Sequence, residues 1–432
     1  MSLFIKDILY VPMTGAFEIK RGSIRIDGQR ITEIGDLSPQ WGDEIIYGHD
    51  KLALPGLVNG HCHAAMTMLR GYGGDLPLNR WLQQVQSAEA ALNSEDIYWG
   101  TLLAHMEMLK AGITCYGDMY FDEGASVWAM EESGIRARLG NGLVDNDGKG
   151  DVHLHSMLRL IDGCKDDLQG RLTFALAPHA VYSCSGEFLR AVSEEACRRD
   201  LPIHIHIAET ATEQSVCIEH TGKRVIPYLN DLGILDSKVF AAHMIHLDAE
   251  EFALVQAKDL RVIHCPQSNM KLASGVFPYD AFAQQRTVVG IGTDGPASNN
   301  DFDLFEEMRS AVLLQKVATN NAAALPCEEA LAMTTINGAR ALFLDHEIGT
   351  LEPGKKADIT ILSLWRPYFY PRNEENQLLN HLVFNAKAGD VHTVIVNGKV
   401  CLRAGQCVSL DESRIYHEVQ RRSKKFWQRF HG

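Results

Sequence analysis

No apolar stretch of this 432-residue chain approaches the roughly 20 residues needed to cross a bilayer, so nothing in it reads as a membrane span. Basic charge is also short. The chain carries 41 Lys and Arg against 55 Asp and Glu, a formal net charge of -14. That balance excludes the basic face that nucleic-acid phosphates require and works against binding to acidic membrane surfaces. The ten cysteines include no Cys-x-x-Cys pair and are scattered through strand-like runs. They read as small buried hydrophobes of a reducing compartment, not as a disulfide framework. The first residues, MSLFIKDILYVPMTG, lack the basic, apolar and small-residue order of a secretory signal, so the expected location is the cytoplasm. There is no repeat of fixed period and no low-complexity tract.

What is present is a globular pattern, with 46% hydrophobic and 22% charged residues. Up to about residue 53 the chain reads as short strands: FIKDILYV, GSIRIDGQRITEIG and DEIIYG alternate apolar and polar side chains, which suits a small antiparallel sheet. From about 54 to 350 the texture changes, and apolar runs alternate with helical segments such as DIYWGTLLAHMEMLKAG and GEFLRAVSEEACRRD. The strand candidates are LALPGLVNGHCH, GITCYGDMYF, ARLGNGLV, LTFALAPHAVYS, LPIHIHIAET, VFAAHMIHL, RVIHCPQSN and VVGIGTDGPAS. Eight βα units over this length predict an α/β fold, a (β/α)8 barrel of the TIM type. A doubly wound open sheet is the alternative, but no Gly-x-Gly-x-x-Gly follows the first strand. From about 351 strands return in GTLEPGKKADITILSL and DVHTVIVNGKVCLRAG. Residues 1–53 and 351–410 are therefore expected to form one composite β-sandwich domain beside the 54–350 barrel. Residues 411–432 read as a basic amphipathic helix docked by a face of Tyr416, Val419 and Phe426.

Barrels of this kind place chemistry at the C-terminal ends of their strands. Here those ends carry His61 and His63, then His179, then His204, His206 and Glu209, then His243 and His246, then His264 and finally Asp294. His61 and His63 stand two apart, so on a strand they share a face while Cys62 points away. So many imidazoles on one rim are hard to explain as packing, because each buried ring needs partners. Three neutral imidazoles and a carboxylate suit zinc or iron(II) with a position open to water. We assign His61, His63, His206 and Asp294 as ligands and His204, deeper in the barrel, as structural. Glu209, just past a ligand, is placed to move protons; His243 can steer the water; Asp294 can take the water's proton while remaining a ligand. A second metal would need a bridging anion near the end of strand 4. That strand reads Ala177-Pro178-His179-Ala180-Val181-Tyr182, with neither Lys nor acid, so one divalent metal is predicted, with His179 free for substrate.

With these motifs in hand the sequence resembles the amidohydrolase superfamily, and within it the 5'-methylthioadenosine/S-adenosylhomocysteine deaminases. The matching stretches are PGLVNGHCHAAMTMLRGYGGDLPLNRWL, GITCYGDMYF, APHAVYS, HIHIAET, HCPQSNMKLASG and GIGTDGPASNNDFDLFEEMR. The resemblance implies hydrolytic deamination of a 6-aminopurine nucleoside. It makes Glu209 the acid that protonates the ring nitrogen, His243 the partner of the attacking water and His179 a substrate contact. It makes Glu89 the carboxylate that binds the ribose hydroxyls, with Glu209 and Asp294 also touching substrate. Zinc is the expected metal and iron the alternative. Many relatives are homo-oligomers, so the resemblance leaves a homo-oligomer open. Relatives that accept S-adenosylhomocysteine hold its carboxylate with arginines near the end of strand 3. This chain has Gly140-Asn141-Gly142-Leu143 there, with Arg136 and Arg138 earlier and only Lys149 following as a point charge. The resemblance therefore favours 5'-methylthioadenosine, adenosine or another 5'-modified adenosine. Other amino- or chloro-heterocycles (guanine, cytosine, pterins, s-triazines) are the alternative substrates, and a non-catalytic binding protein is the alternative of another class. Trp81, in DLPLNRWL, is open between core packing and the pocket rim, and Ser298 and Asn299 are open between site and plain turn.

Overall fold

The computed structural model describes residues 2–164 and 167–431. Five strands come first: β1 (Ser2–Tyr10), β2 (Lys20–Asp27), β3 (Arg30–Gly35), β4 (Glu44–Tyr47) and β5 (Lys51–Pro55). The next set is β6 (Leu57–Cys62), β7 (Ile113–Tyr120), β8 (Arg136–Leu143), β9 (Leu172–Phe174), β10 (Ala177–Pro178), β11 (Ile203–Ile207), β12 (Val239–His243), β13 (Arg261–His264) and β14 (Val289–Ile291). The last four are β15 (Ile359–Ser363), β16 (Val391–Val396), β17 (Lys399–Arg403) and β18 (Gln406–Cys407).

β6 to β14 are parallel wherever they pair, with helices between them. They form two runs, β10-β8-β7-β6 with β9 on β8, and β11-β12-β13-β14. Two parallel bridges join the runs, Leu176 to Ile203 on one side and Cys62 to Asp294 on the other. The circle is thus complete, and the eight strand runs read from the sequence are its staves, β9 and β10 being two pieces of the fourth. Near-continuous burial along each strand is what a sheet covered on both faces requires. The surrounding helices follow local rules. Helix Ser94–Lys110 starts at Asn93, whose side chain accepts from the Glu95 and Asp96 N–H groups while Asp96 reaches back to the Asn93 N–H.

Strands from both chain ends share a nine-stranded sheet of order β18-β17-β16-β15-β5-β1-β2-β3, with β4 beside β1. β15 lies antiparallel on β5, Ile359 opposite Pro55 through Ser363 opposite Lys51. The β3 edge comes round to the segment before β15: the Ile31 N–H donates to Lys355 O at 2.9 Å and the Ala357 N–H to Gln29 O at 2.8 Å. Ile5, Ile24, Ile31, Ile359 and Ile395 accordingly meet in one apolar cluster. The expectation of an antiparallel amino-terminal sheet needs correction, because β4 and β5 both pair with β1 in parallel. Alternation fixes which face a side chain takes, not the direction of the neighbouring strand. From this sheet the chain passes straight into β6 through Gly56, where a Cβ would lie 2.0 Å from the Thr114 hydroxyl.

The tail forms helix Glu412–His431, which buries Ile415, Arg422 and Phe426. Tyr416 is exposed, contrary to expectation. The buried Ile415, Arg422 and Phe426, with the partly buried Val419, follow helical spacing from Ile415, which leaves Tyr416 a hundred degrees round the helix. All ten cysteines are free. No helix among the described residues is long and apolar enough to cross a membrane.

Candidate metal centre and substrate cleft

β6 carries His61, His63 follows one residue past its end, and β11 supplies His206. Asp294 follows β14 and is brought to them by barrel closure, with its N–H donating to the His61 carbonyl at 3.1 Å. The approach is close because of Gly292, where a Cβ would stand 2.7 Å from that carbonyl oxygen. One candidate ligand atom from each of these four residues lies within 4.8 Å of every other. Asp294 Oδ1 sits 3.3 Å from His61 Nε2 and 3.1 Å from His63 Nε2.

The rings are oriented from behind. His63 Nδ1 donates to the Met119 carbonyl at 2.5 Å and His206 Nδ1 to the His179 carbonyl at 2.9 Å, which fixes both rings with Nε2 as the atom left to face the cluster. His61 Nδ1 meets His204 Nε2 at 2.7 Å, so His204 supports a ring of the cluster from deeper in the barrel. His61 Nε2 is buried without a hydrogen-bond partner. An orphaned imidazole nitrogen facing two other imidazoles and a carboxylate fits a metal cation, and the donor set suits zinc or iron. Burial pushes the His61 pKa down to about 4 and holds that of His206 well below its ordinary value. Burial opposes ionisation of Asp294, yet the His61 and His63 contacts hold its carboxyl well below the usual range.

The remaining Asp294 oxygen, Oδ2, accepts from Ser268 at 2.6 Å and Ser298 at 2.9 Å. Ser298 is thus part of the site, and Asn299 lies behind it, donating to the Thr293 carbonyl at 2.9 Å. Asp294 and His243 both have positive φ, 60° and 72°, backbone strain at strand ends of the kind that functional sites hold. His243 Nδ1 donates to Asn269 Oδ1 at 2.9 Å, and its Nε2 is 3.9 Å from Glu209 Oε2. Glu209 Oε1 accepts from the Ser274 hydroxyl at 3.0 Å. Burial raises the Glu209 pKa above its ordinary value. His179 donates or accepts through Nδ1 with Ser183 at 2.9 Å, and burial lowers its pKa to about 4.

These groups open into one cleft. His63, His206 and Asp294 line it beside Glu209 and His243, and His179 lines the adjoining wall. Glu89, the last residue of helix Leu78–Glu89, lines the same cleft, and burial raises its pKa to about 7. The Tyr120 hydroxyl approaches Glu89 without completing a hydrogen bond. Trp81 is buried in the apolar cluster under this helix and also lines the cleft, so packing and pocket are the same position. Gly142, near the end of β8, and Val144, just past it, line the cleft. Arg136 and Arg138 do not: Arg136 is paired with Asp358 at the start of the strand, and Arg138 reaches the Phe174 carbonyl at 3.3 Å. Lys149 is exposed and outside the lining.

Sequence reasoning brought together every residue of the cluster but missed Ser268, Asn269 and Ser274, which orient Asp294, His243 and Glu209. The signal was present in HCPQSNMKLASG, where small polar residues crowd a strand end.

A sequence profile of the amidohydrolase family matches residues 52–401. Over 429 residues the chain is 42% identical to a 5-methylthioadenosine/S-adenosylhomocysteine deaminase of Moorella thermoacetica, covering 98% of this chain and 99% of that one. It is 40% identical over 423 residues to a 5'-deoxyadenosine deaminase of Methanosarcina acetivorans, covering 97% of each. Its fold superposes on the crystal structure of an adenosine deaminase from Xanthomonas campestris with bound zinc. The TM-score is 0.93 at 32% identity, covering 99% of this chain and 98% of the other.

Proposed function

The chain belongs to the amidohydrolase family, and from that premise we propose that it is a metal-dependent deaminase of adenosine-type nucleosides. It converts the 6-amino group to a carbonyl and releases ammonia. The substrate is 5'-methylthioadenosine, adenosine or a 5'-modified adenosine. S-adenosylhomocysteine is the weaker candidate, since the β8 arginines lie outside the cleft. One observation carries the reading. A single cleft is lined both by the His and Asp cluster with Glu209 and by the half-buried Glu89, so a carboxyl that can serve a base and one that can meet a sugar share it.

His61, His63, His206 and Asp294 would hold one divalent ion, which we take to be zinc, with iron suiting the same donors. A divalent ion held there would supply acidification of a water to near neutrality. Asp294 is placed to accept a proton from the water that attacks C6, and the Ser268 and Ser298 hydroxyls hold the carboxylate in line. His243, its Nδ1–H committed to Asn269, presents the Nε2 lone pair to a water proton and so aims the attack. Glu209, its carboxyl pKa raised by burial, donates to the ring nitrogen beside C6, so the ring carries no negative charge as C6 becomes tetrahedral. Collapse forms the C6 carbonyl and breaks the C6–N bond; the proton held by Asp294 leaves on ammonia and the C6 hydroxyl proton restores Glu209. Neutral His179 contacts the base, and Glu89 accepts hydrogen bonds from the two ribose hydroxyls, a charge-assisted pair suited to a diol. The alternative of a barrel that has lost catalysis finds no support, because the full donor cluster and Glu209 stand together.

An ammonia-release screen tests the reading. Adenosine, 5'-methylthioadenosine and 5'-deoxyadenosine are the substrates, with guanine, cytosine and s-triazines as controls. Turnover of the nucleosides above the controls is expected; turnover confined to free bases or triazines overturns it.

A further inference from the structure

The helix that ends in Glu89 is short, and Glu89 stands on its last turn, followed at once by the tight segment Ala90–Asn93. A carboxylate placed there is only as well aimed as that turn is fixed. The turn is gripped from outside the barrel. Arg429, on the carboxy-terminal helix, donates to the Ala91 carbonyl at 2.9 Å, two residues past Glu89. The same guanidinium nitrogen reaches Asp96 Oδ2 at 2.8 Å. Asp96 is itself buried and closes the capping box on Asn93, the last residue of the turn. Arg422 reaches the other Asp96 oxygen at 3.3 Å and also pairs with Glu95.

Apolar contacts make the grip two-sided. Phe426, fully buried on the same helical face, belongs to the cluster that contains Trp81, Val85 and Ala88 on the buried side of the Glu89 helix. Trp427 packs against Tyr72, in the loop before that helix, with ring centroids 4.7 Å apart. The carboxy-terminal helix therefore shares an apolar cluster with the Glu89 helix, packs on the loop before it and holds its exit turn by charge. Nothing in the chemistry at Asp294 or Glu209 calls for this arrangement, because no side chain of the carboxy-terminal helix lines the cleft.

We propose that Arg429, with Arg422 and Phe426, is a positioning residue for the sugar end of the cleft: it fixes the turn after Glu89 so that the carboxylate meets the ribose diol. The inference rests on the proposed contact between Glu89 and ribose. Arg429 is half exposed, so its truncation leaves the core intact.

The test is steady-state kinetics on the full-length enzyme with adenosine and with 2',3'-dideoxyadenosine, which lacks the diol. Arg429→Ala is expected to raise KM for adenosine about five-fold, the worth of one positioning hydrogen bond, with kcat nearly unchanged. KM for the dideoxynucleoside should stay at the parent value, and Arg429→Lys should recover part of the loss. In a Glu89→Ala background, Arg429→Ala should add nothing. If Arg429→Ala raises KM equally for both nucleosides, or acts on kcat alone, or has no effect while Glu89→Ala raises the adenosine KM, the positioning role is overturned and the ribose contact stands. If Glu89→Ala itself leaves the adenosine KM unchanged, the ribose contact is wrong and the inference falls with it.

Discussion

Ser274 donates its hydroxyl proton to Glu209 Oε1 at 3.0 Å, and the two residues come from different strand-end loops of the barrel. The bond does two things. It fixes the carboxyl near His243, and it favours the ionised form, pulling against the burial that raises the Glu209 pKa.

Removing that hydroxyl has a direction that can be checked. In Ser274→Ala the Glu209 pKa rises further, because the lowering contact is gone while burial remains. A proton-donating Glu209 is active below its pKa, so the alkaline limb of kcat/KM should move to higher pH. At the same time kcat should fall about ten-fold, since the carboxyl is no longer held in one place. A pH–rate profile of the variant against the parent decides it, and an alkaline limb that moves down or stays put rules the coupling out.

Glu209→Gln should abolish turnover, by at least about a hundred-fold, because the amide cannot supply the proton. Metal content should stay near one per chain, because Glu209 is outside the four-residue cluster. Elemental analysis beside the ammonia assay separates the two roles. Loss of metal along with activity would make Glu209 a ligand, and full activity would remove it from the chemistry.

Arg136 and Asp358 form a buried pair at 2.7 Å and 3.0 Å that ties the start of β8 to the nine-stranded sheet, and Asp358 also accepts from the Asn397 N–H. Arg136→Met leaves Asp358 buried without its cation and should cost about 3 kcal/mol. Denaturant unfolding should show the loss, while KM of the folded variant stays at the parent value because Arg136 is outside the cleft.

Glu213 accepts from the Glu209 N–H at 2.8 Å through one oxygen, and the other is buried without a partner. Burial pushes its pKa from the ordinary 4.5 up to about 8. The folded state therefore binds a proton that the unfolded chain gives up, and stability falls as pH rises from about 4.5 through about 8. Glu213→Gln removes that dependence. The variant's melting temperature relative to the parent should climb across this window and level off above it; a relative melting temperature flat with pH would show that Glu213 is ionised in the fold.

Much of the site was legible before any coordinates. Two histidines one residue apart on a strand must share a face, so His61 and His63 were a pair whatever the fold. Repeated apolar runs separated by helical segments specify a parallel barrel, and a barrel gathers its strand ends on one rim, so His206, Glu209, His243 and Asp294 could be grouped with them. These are consequences of period and chain order, which a sequence carries completely.

Other features were settled only by contact in three dimensions. Parallel pairing of β4 and β5 with β1 depends on the path of the chain between strands, which alternation does not encode. Ser268 and Ser274 become site residues because strand closure brings them within hydrogen-bond reach of Asp294 and Glu209. Tyr416 yields its expected place to Ile415 and Arg422, because a buried Asp96 on a distant helix draws the arginine inward. Glu89 reads in sequence as an ordinary solvated acid. Only the folded chain places it among the residues that line the cleft, where burial raises its pKa to about 7. The sequence alone determined which candidate residues a barrel gathers on one rim and the order in which it presents them. The tertiary structure decided their orientation and partners, because hydrogen bonds and desolvation act over a few ångströms between groups that the chain keeps far apart.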